Sequence, residues 1–497
     1  MNKLESTVAD MPRIIYQFSA AEPVTNQCDA CSPIVFATQG SFESINCHDF
    51  LERTPQLQSQ RIDFENHYAI FSPFARAFTV LNSHAFEILD YFKSKRAFRN
   101  LPKEWFERFG KAHITKLIKS MVSLGLLTST SQLKAKFQEK PQKLAAWLHI
   151  TDRCNFRCAY CYLPHNKEDM SEETGRAAID AIFRSSVIYN YREVKLKYAG
   201  GEPLLRFQLI KKMHQYAQSL AEKHDIKIDG VVLSNGTLIT PSIIKSMQDL
   251  ELRLTISLDG LDGYQDMQRY YSNGSGSAKT VLNAIDIAMS KGLTPEISVT
   301  VTSRNAPGLA ELVEWILKQK LHFRINFYRN NKYSESLIDL SLEQEIIIKH
   351  ILAAFKVIES NLPKQNLLAS LANQSNLSCA HLRACSVGHS YLVFDSTGQV
   401  SKCQMQKDKP VANVYATDPL AKVRLDIEGI QNLSVEEKQE CRDCSWKYWC
   451  AGGCPLDTYQ AIGRYDAKSP NCHIYKNLLP EIVKLEALRL LKYHSPD

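Results

Sequence analysis

The sequence predicts an α/β protein: a partial TIM-like (β/α)6 barrel set between an N-terminal winged-helix domain and a C-terminal cysteine-rich domain. Three observations predict it. Between residues 145 and 330 short β runs alternate with amphipathic helices six times, and β-α units in series imply a curled parallel sheet with functional residues at the carboxyl ends of its strands. Ahead of that, two strand-like runs and three helices fall within 66–131. Behind it, eight of the 14 cysteines lie within 371–475.

A chain of 497 residues exceeds one ordinary core, and ~150 residues per domain suggests about three domains. With 44% hydrophobic and 23% charged residues the composition is that of a soluble globular protein. The net charge of +7 is modest for this length and does not call for nucleic acid. No apolar run approaches the ~18 residues that span a bilayer, so no membrane is expected. The opening MNKLESTVADMPRI carries acids and lacks the apolar stretch of a secretory signal. Most cysteines cluster in metal-ligand spacings, which makes the cytosol the expected compartment.

Residues 1–65 form a segment of unclear role, rich in Asn, Gln and Ser. Its Cys28, Cys31 and Cys47, followed by His48, leave open a small metal site or ordinary reduced thiols. From 66 to 131 the runs HYAIFSP and AFTVLN read as strands, and Phe86, Leu89 and Phe92 mark one face of a helix. A second helix is expected at 103–109, and a third at 113–124 with Ile114, Leu117, Ile118 and Met121 at helical spacing. Gly125 ends that helix and LLTSTS begins a wing. The third helix carries only Lys116 and Lys119 as basic residues, which argues against reading a DNA groove. Residues 132–144, polar and broken by Pro141, form a linker.

The barrel strands are expected in AAWLHIT, REVKLKYAG, IKIDGVVLSNG, ELRLTISLDG, TPEISVTVTS and LHFRINFY, with the barrel spanning 145–330. Helices are expected near 171–188, 206–222, 241–248, 278–290 and 306–319. A linker and helix over 331–370 lead to the cysteine-rich domain at 371–475, and a helix over 476–497 ends the chain.

After the first barrel strand, TDRCNFRCAYCYLP sets Cys154, Cys158 and Cys161 in the order C-x3-C-x2-C. Three adjacent thiolates can hold three corners of a cubane iron-sulfur cluster, leaving one iron open to bind a small molecule through its amine and carboxylate. A zinc knuckle or free buried thiols is the alternative, although zinc sites usually want two cysteine pairs or added histidines. This spacing resembles the signature of the radical S-adenosylmethionine (SAM) superfamily, in which a low-potential 4Fe-4S cluster cleaves SAM to a 5'-deoxyadenosyl radical. The glycines of YAGGEPLL, Gly200 and Gly201, let the backbone approach a ligand closely. With Glu202 they resemble the superfamily's GGEP motif, which holds the methionine amine. By the same resemblance Tyr160 lies against the adenine, and Ser257 contacts the ribose or carboxylate. Arg269 pairs with the methionine carboxylate, and Asn235 of SNGT and Asp259 of SLDG join the cofactor contacts. Tyr328 ends the sixth strand without a motif to support a role.

In the C-terminal domain Cys379, Cys385 and Cys403 precede C-x2-C-x5-C-x3-C, formed by Cys441, Cys444, Cys450 and Cys454, and Cys472 closes the series. Gly398 suits a hairpin turn between YLVFD and QVSKC. Eight thiols make two sets of four, a count that two zinc sites also satisfy. The pattern resembles the SPASM extension of radical SAM enzymes, whose ligands cross over. The resemblance implies one auxiliary 4Fe-4S cluster on Cys379, Cys385, Cys403 and Cys454, and a second on Cys441, Cys444, Cys450 and Cys472. Three 4Fe-4S clusters and SAM are then the expected cofactors.

The winged-helix pattern resembles leader-recognition domains of enzymes that modify ribosomally made peptides, where a leader adds as a strand to a sheet edge. An oxidoreductase-like peptide maturase is therefore expected, acting on a precursor peptide or small protein with a flavodoxin- or ferredoxin-type electron donor. The alternatives are an anaerobic sulfatase-maturating enzyme, which generates formylglycine, and a winged-helix iron-sulfur sensor that binds DNA. Sulfatase maturases carry an Asp after the third SPASM cysteine as proposed base, where this chain has Gln404. No catalytic acid or base is identified by the sequence.

Overall fold

A computed structural model describes residues 11–18, 34–35, 50–62, 66–129, 138–139, 141–334 and 336–494. Cys28, Cys31, Cys47 and His48 lie outside the described residues.

The N-terminal part contains strands β1 (Ile14–Phe18), β2 (Ile34–Val35), β3 (Phe50–Arg53), β4 (Gln58–Ile62), β5 (His67–Phe71) and β6 (Ala77–Leu81). Then come helix α1 (Ser83–Tyr91), β7 (Arg96–Ala97), α2 (Lys103–Phe109), α3 (Lys111–Ser123), β8 (Leu127–Ser129) and β9 (Gln138–Glu139). Asn82 starts α1 because its side chain accepts from the Ala85 N–H at 3.0 Å. One antiparallel sheet has the order β1-β6-β5-β4, and β3 lies between β7 and β8 in another. Strands β1, β3 and β4 come from residues left unassigned by the sequence reading.

Strand alternation gives the first sheet two apolar faces. Ile70, Ala77 and Leu81 pack on α1 and α3, while Ala69, Phe71, Phe78 and Val80 join the main core. Phe71 stacks on Trp446 at 5.4 Å and meets Trp449 edge-on at 5.8 Å.

The central sheet runs β15-β14-β13-β12-β11-β10-β16-β17-β18. Its barrel strands are β10 (Lys143–Thr151), β11 (Glu193–Gly200), β12 (Lys227–Ser234), β13 (Arg253–Ser257), β14 (Glu296–Val301) and β15 (His322–Phe327), all paired parallel with their neighbours. The helices of this part are α4 (Glu172–Ile188), α5 (Phe207–His224), α6 (Pro241–Asp249), α7 (Gly263–Asp266), α8 (Ala278–Ser290) and α9 (Leu309–Lys318). Helix α10 (Gln344–Ser360) follows the barrel. The fold is the expected α/β partial barrel.

The cysteine-rich region adds β16 (Tyr391–Phe394), β17 (Gln399–Ser401) and β18 (Pro410–Asn413), with Gly398 at φ 86° in the tight turn. Strand β16 pairs parallel with β10, so this hairpin continues the barrel sheet. Helices α11 (Pro419–Leu425), α12 (Lys447–Cys450), α13 (Pro455–Ile462) and α14 (Cys472–Tyr493) complete the chain. Residues 472–475 thus belong to the terminal helix, and Cys472 starts it.

Outward residues of the barrel strands, such as Leu144, Leu148, Val194, Leu196, Ile297 and Val299, pack into the main core. Many of the alternate residues that line the lumen are polar, among them Lys195, Lys197, Thr255, Ser298 and Asn326. Near the start of the strands Lys195 lies 3.3 Å from Asp229. The Arg253 guanidinium donates to the same carboxylate at 2.9 and 2.7 Å. Arg324 lies 3.3 Å from Glu296. This paired floor leaves the cavity at the carboxyl ends of the strands, beside the loops that carry the cysteines.

Candidate active site

A cavity of about 410 Å3 occupies that end of the barrel, lined in part by Cys154, Cys158 and Cys161. Burial pushes the Cys154 and Cys161 thiols up to about 12, and raises Cys158 as well. The three thiols lie within electrostatic reach of one another. Iron would bind them as thiolates, so its coordination would offset the desolvation that now favours the protonated form.

Gly200 and Gly201 line the cavity too, but the close approach that requires them is to the cysteine loop. A Cβ on Gly200, at φ 129°, would sit 2.2 Å from the Thr151 carbonyl oxygen, and one on Gly201 would sit 2.1 Å from that of Arg153. The Gly201 and Glu202 amides donate to the same two carbonyls at 2.7 and 2.8 Å. The glycines therefore zip the second strand end to the cysteine loop, in addition to lining the cavity where the resemblance expects a ligand.

Tyr160, Asn235, Ser257 and Arg269 also line the cavity. Glu202 and Asp259 do not; both are fully buried acids standing behind its wall. The Glu202 carboxylate accepts from Leu204 N at 3.0 Å, Ser234 Oγ at 2.8 Å and Asn235 N at 2.8 Å. Asp259 accepts from Thr300 N at 2.7 Å and from the Tyr160 hydroxyl at 2.5 Å. Each spends its carboxylate oxygens on protein donors, which sets these carboxylates behind the expected cofactor contacts as supports of the wall. Burial still raises both carboxyls above their ordinary range.

Arg269 donates through Nη1 to the Tyr160 hydroxyl and lies 4.0 Å from Asp259. Its Nε is buried without a hydrogen-bond partner, an orphaned cationic donor suited to a carboxylate. Asn235 donates to Asn155 at 2.8 Å and steadies the loop of Cys154. Tyr328 also reaches the cavity wall, its hydroxyl meeting Ser334 at 2.9 Å.

A neighbouring cavity of about 100 Å3 is lined by Cys385, Cys403 and Cys454. Burial pushes Cys403 up to about 12, and Cys454 lies close enough to reinforce the shift. Cys379 Sγ accepts from Asn376 Nδ2 at 3.4 Å. The Cys450 thiol, also pushed to about 12 by burial, faces Cys441, Cys444 and Cys472. Among the described residues no three His, Cys, Asp or Glu side chains converge tightly enough for one ion.

Residues 148–309 match the Radical SAM superfamily model. The chain carries a radical SAM domain. The domain's cysteine loop and cavity are suited to a 4Fe-4S cluster and SAM. An uncharacterized protein of Methanocaldococcus jannaschii is 33% identical over 171 residues, covering 34% of this chain and 57% of that protein. The radical SAM cyclopropyl synthase TigE of Paramaledivibacter caminithermalis is 21% identical over 249 residues, covering 45% of this chain and 51% of TigE. The chain thus spans only a little over half the length of these two relatives. A structure of anSMEcpe with bound AdoMet and Cp18Cys peptide superposes with a TM-score of 0.56 at 19% identity, covering 70% of this chain and 98% of that one. That likeness concerns the fold. No helix among the described residues is long and apolar enough to cross a membrane.

The lumen residues escaped the sequence reading. Their signal was present as alternation, with Lys195 and Lys197 in β11, Ser298 and Thr300 in β14, and Arg324 and Asn326 in β15. Arg329 and Gln374 left no such signal.

Proposed function

We propose that this enzyme is a peptide maturase of the radical SAM/SPASM type, with one SAM-binding 4Fe-4S cluster and two auxiliary clusters. The observation that carries the reading is the junction of the two cavities. One is lined by Cys154, Cys158 and Cys161 and the other by Cys385, Cys403 and Cys454, and both share Trp147, Lys197, Arg329, Gln374, Gln404 and Met405. A substrate entering this space would lie between two iron-sulfur sites. When bound, the cluster and SAM supply hydrogen abstraction from a substrate carbon.

The chain's own residues orient and enclose. Arg269 would hold the methionine carboxylate, with Tyr160 and Asp259 fixing the guanidinium. Cys379 would complete the first auxiliary set, and Cys441, Cys444, Cys450 and Cys472 would hold the second cluster. Residues 66–131 would capture a leader by strand addition. The likeness of fold to anSMEcpe, whose structure holds a Cp18Cys peptide, supports a peptide substrate.

The test is anaerobic co-expression with a precursor peptide encoded beside this gene, followed by mass spectrometry. A mass change that needs Cys154, Cys158 and Cys161 supports the reading; an unmodified precursor removes it.

A further inference from the structure

Between the two cavities the chain makes a turn that its own sequence does not favour. Ser375 N donates to the Ala372 carbonyl at 3.1 Å, closing a four-residue turn whose third residue is Gln374. Gln374 has φ 58°. That position, with positive φ, favours Gly or Asn. A long carboxamide there is held in a sparsely populated backbone region, the kind of outlier that points to function when the surroundings enforce it.

The surroundings do enforce it. Ser370 O accepts from Ile325 N of β15 at 2.9 Å, and Asn376 N donates to Trp449 O at 2.9 Å. The turn is therefore pinned to the barrel on one side and to the cysteine-rich region on the other. Pinning leaves the Gln374 side chain on the walls of both cavities. Its Oε1 is buried with no hydrogen-bond partner.

Arg329 stands at the same junction and lines both cavities. Its Nη2 donates to Asn373, the residue before Gln374, at 3.3 Å, and Asp457 lies 3.8 Å from its Nε. The Nε itself is buried without a hydrogen-bond partner. One orphaned acceptor and one orphaned donor thus share a junction, and a buried polar atom costs free energy until something satisfies it. A peptide unit offers one N–H and one C=O, the complement of that pair.

We propose that Gln374 and Arg329 clamp one peptide unit of the substrate, Gln374 Oε1 accepting its N–H and Arg329 Nε donating to its C=O. This fixes the target residue between the two thiol sets. The assignment rests on the peptide reading above and adds the positioning residues that reading lacks. It also gives the turn its reason: the left-handed third position, pinned at both ends, sets Gln374 at the junction.

The test uses full-length, anaerobically reconstituted enzyme and the precursor peptide encoded beside this gene. Gln374→Gly removes the carboxamide and relieves the backbone, so it should not lower the unfolding temperature or the iron content. Its KM for the precursor should rise about tenfold, the equivalent of one lost hydrogen bond to a buried partner, with a smaller change in kcat. More 5'-deoxyadenosine should be released per modified peptide, because a loosely held target is missed. Gln374→Asn, which keeps the amide and tolerates the turn, should recover part of the coupling. Arg329→Lys should raise KM in the same way. A Gln374→Gly enzyme with unchanged KM and coupling overturns the clamp and leaves the maturase reading standing. A wild-type enzyme that modifies no peptide overturns both.

Discussion

Lys407 Nζ lies 2.6 Å from each carboxylate oxygen of Asp152, a residue 255 positions earlier. Asp152 is two residues before Cys154, and Lys407 is four residues after Cys403. The pair therefore ties the loop of Cys154, Cys158 and Cys161 to the loop of Cys403. With Asp152 only 1% exposed, Lys407→Met strands a buried carboxylate, at a cost of roughly 3 to 5 kcal/mol. The denaturant midpoint should fall accordingly; an unchanged midpoint would show that the tie carries no stability.

Anaerobically reconstituted protein should hold about twelve irons per chain, and the triple variant Cys154→Ala, Cys158→Ala, Cys161→Ala about eight. Iron and zinc analysis decides it. Stoichiometric zinc, or loss of all iron in the variant, would remove the assignment of separate clusters.

Arg269→Ala removes the orphaned donor proposed to hold the methionine carboxylate. SAM binding should weaken by about 1.5 to 3 kcal/mol, the range for a charge-assisted contact. Equilibrium dialysis with the iron-loaded variant measures it, and unchanged affinity would make Arg269 a support for Tyr160 and Asp259 alone.

His149 is fully buried, with neither ring nitrogen hydrogen-bonded. Burial, with Lys407 adding to it, lowers its pKa from 6.5 to about 3. Since the folded pKa is depressed, the unfolded chain takes up the proton first as pH falls. The neutral ring's full contribution stands above about pH 6.5 and erodes toward about 3, a loss of about 2 kcal/mol by pH 5. His149→Phe should flatten that limb when unfolding free energies at pH 7 and pH 5 are compared with wild type; an equal loss in both proteins would exclude His149 as a source.

The N-terminal sheet covers apolar surface of the main core. Phe71→Ala, which empties the contact with Trp446 and Trp449, should cost about 3 to 5 kcal/mol. A chain beginning near residue 140 uncovers the same face and should lose iron first from the set of Cys441, Cys444, Cys450 and Cys472. Full iron retention in that chain would mean that the sheet protects nothing there.

The sequence by itself determined what depends on near neighbours. Thiol spacing at Cys154, Cys158 and Cys161 is local chemistry, and the alternation of β runs with amphipathic helices is local periodicity, so the barrel elements were legible almost to the residue. Helix 278–290 carries the same bounds in both readings. Contacts between distant segments were decided only by the tertiary structure. Nothing in YLVFD announces that β16 will pair with β10, because strand partners are selected by surfaces that exist only after folding. The glycine pair could be read as special, but only the fold revealed that its neighbours are Thr151 and Arg153. Gln374 reads as an ordinary polar loop residue until its φ and the two pins around it are known. It lines the same two cavities as Arg329 at a junction that no spacing rule encodes, since each cavity wall is assembled from segments brought together by the packed core.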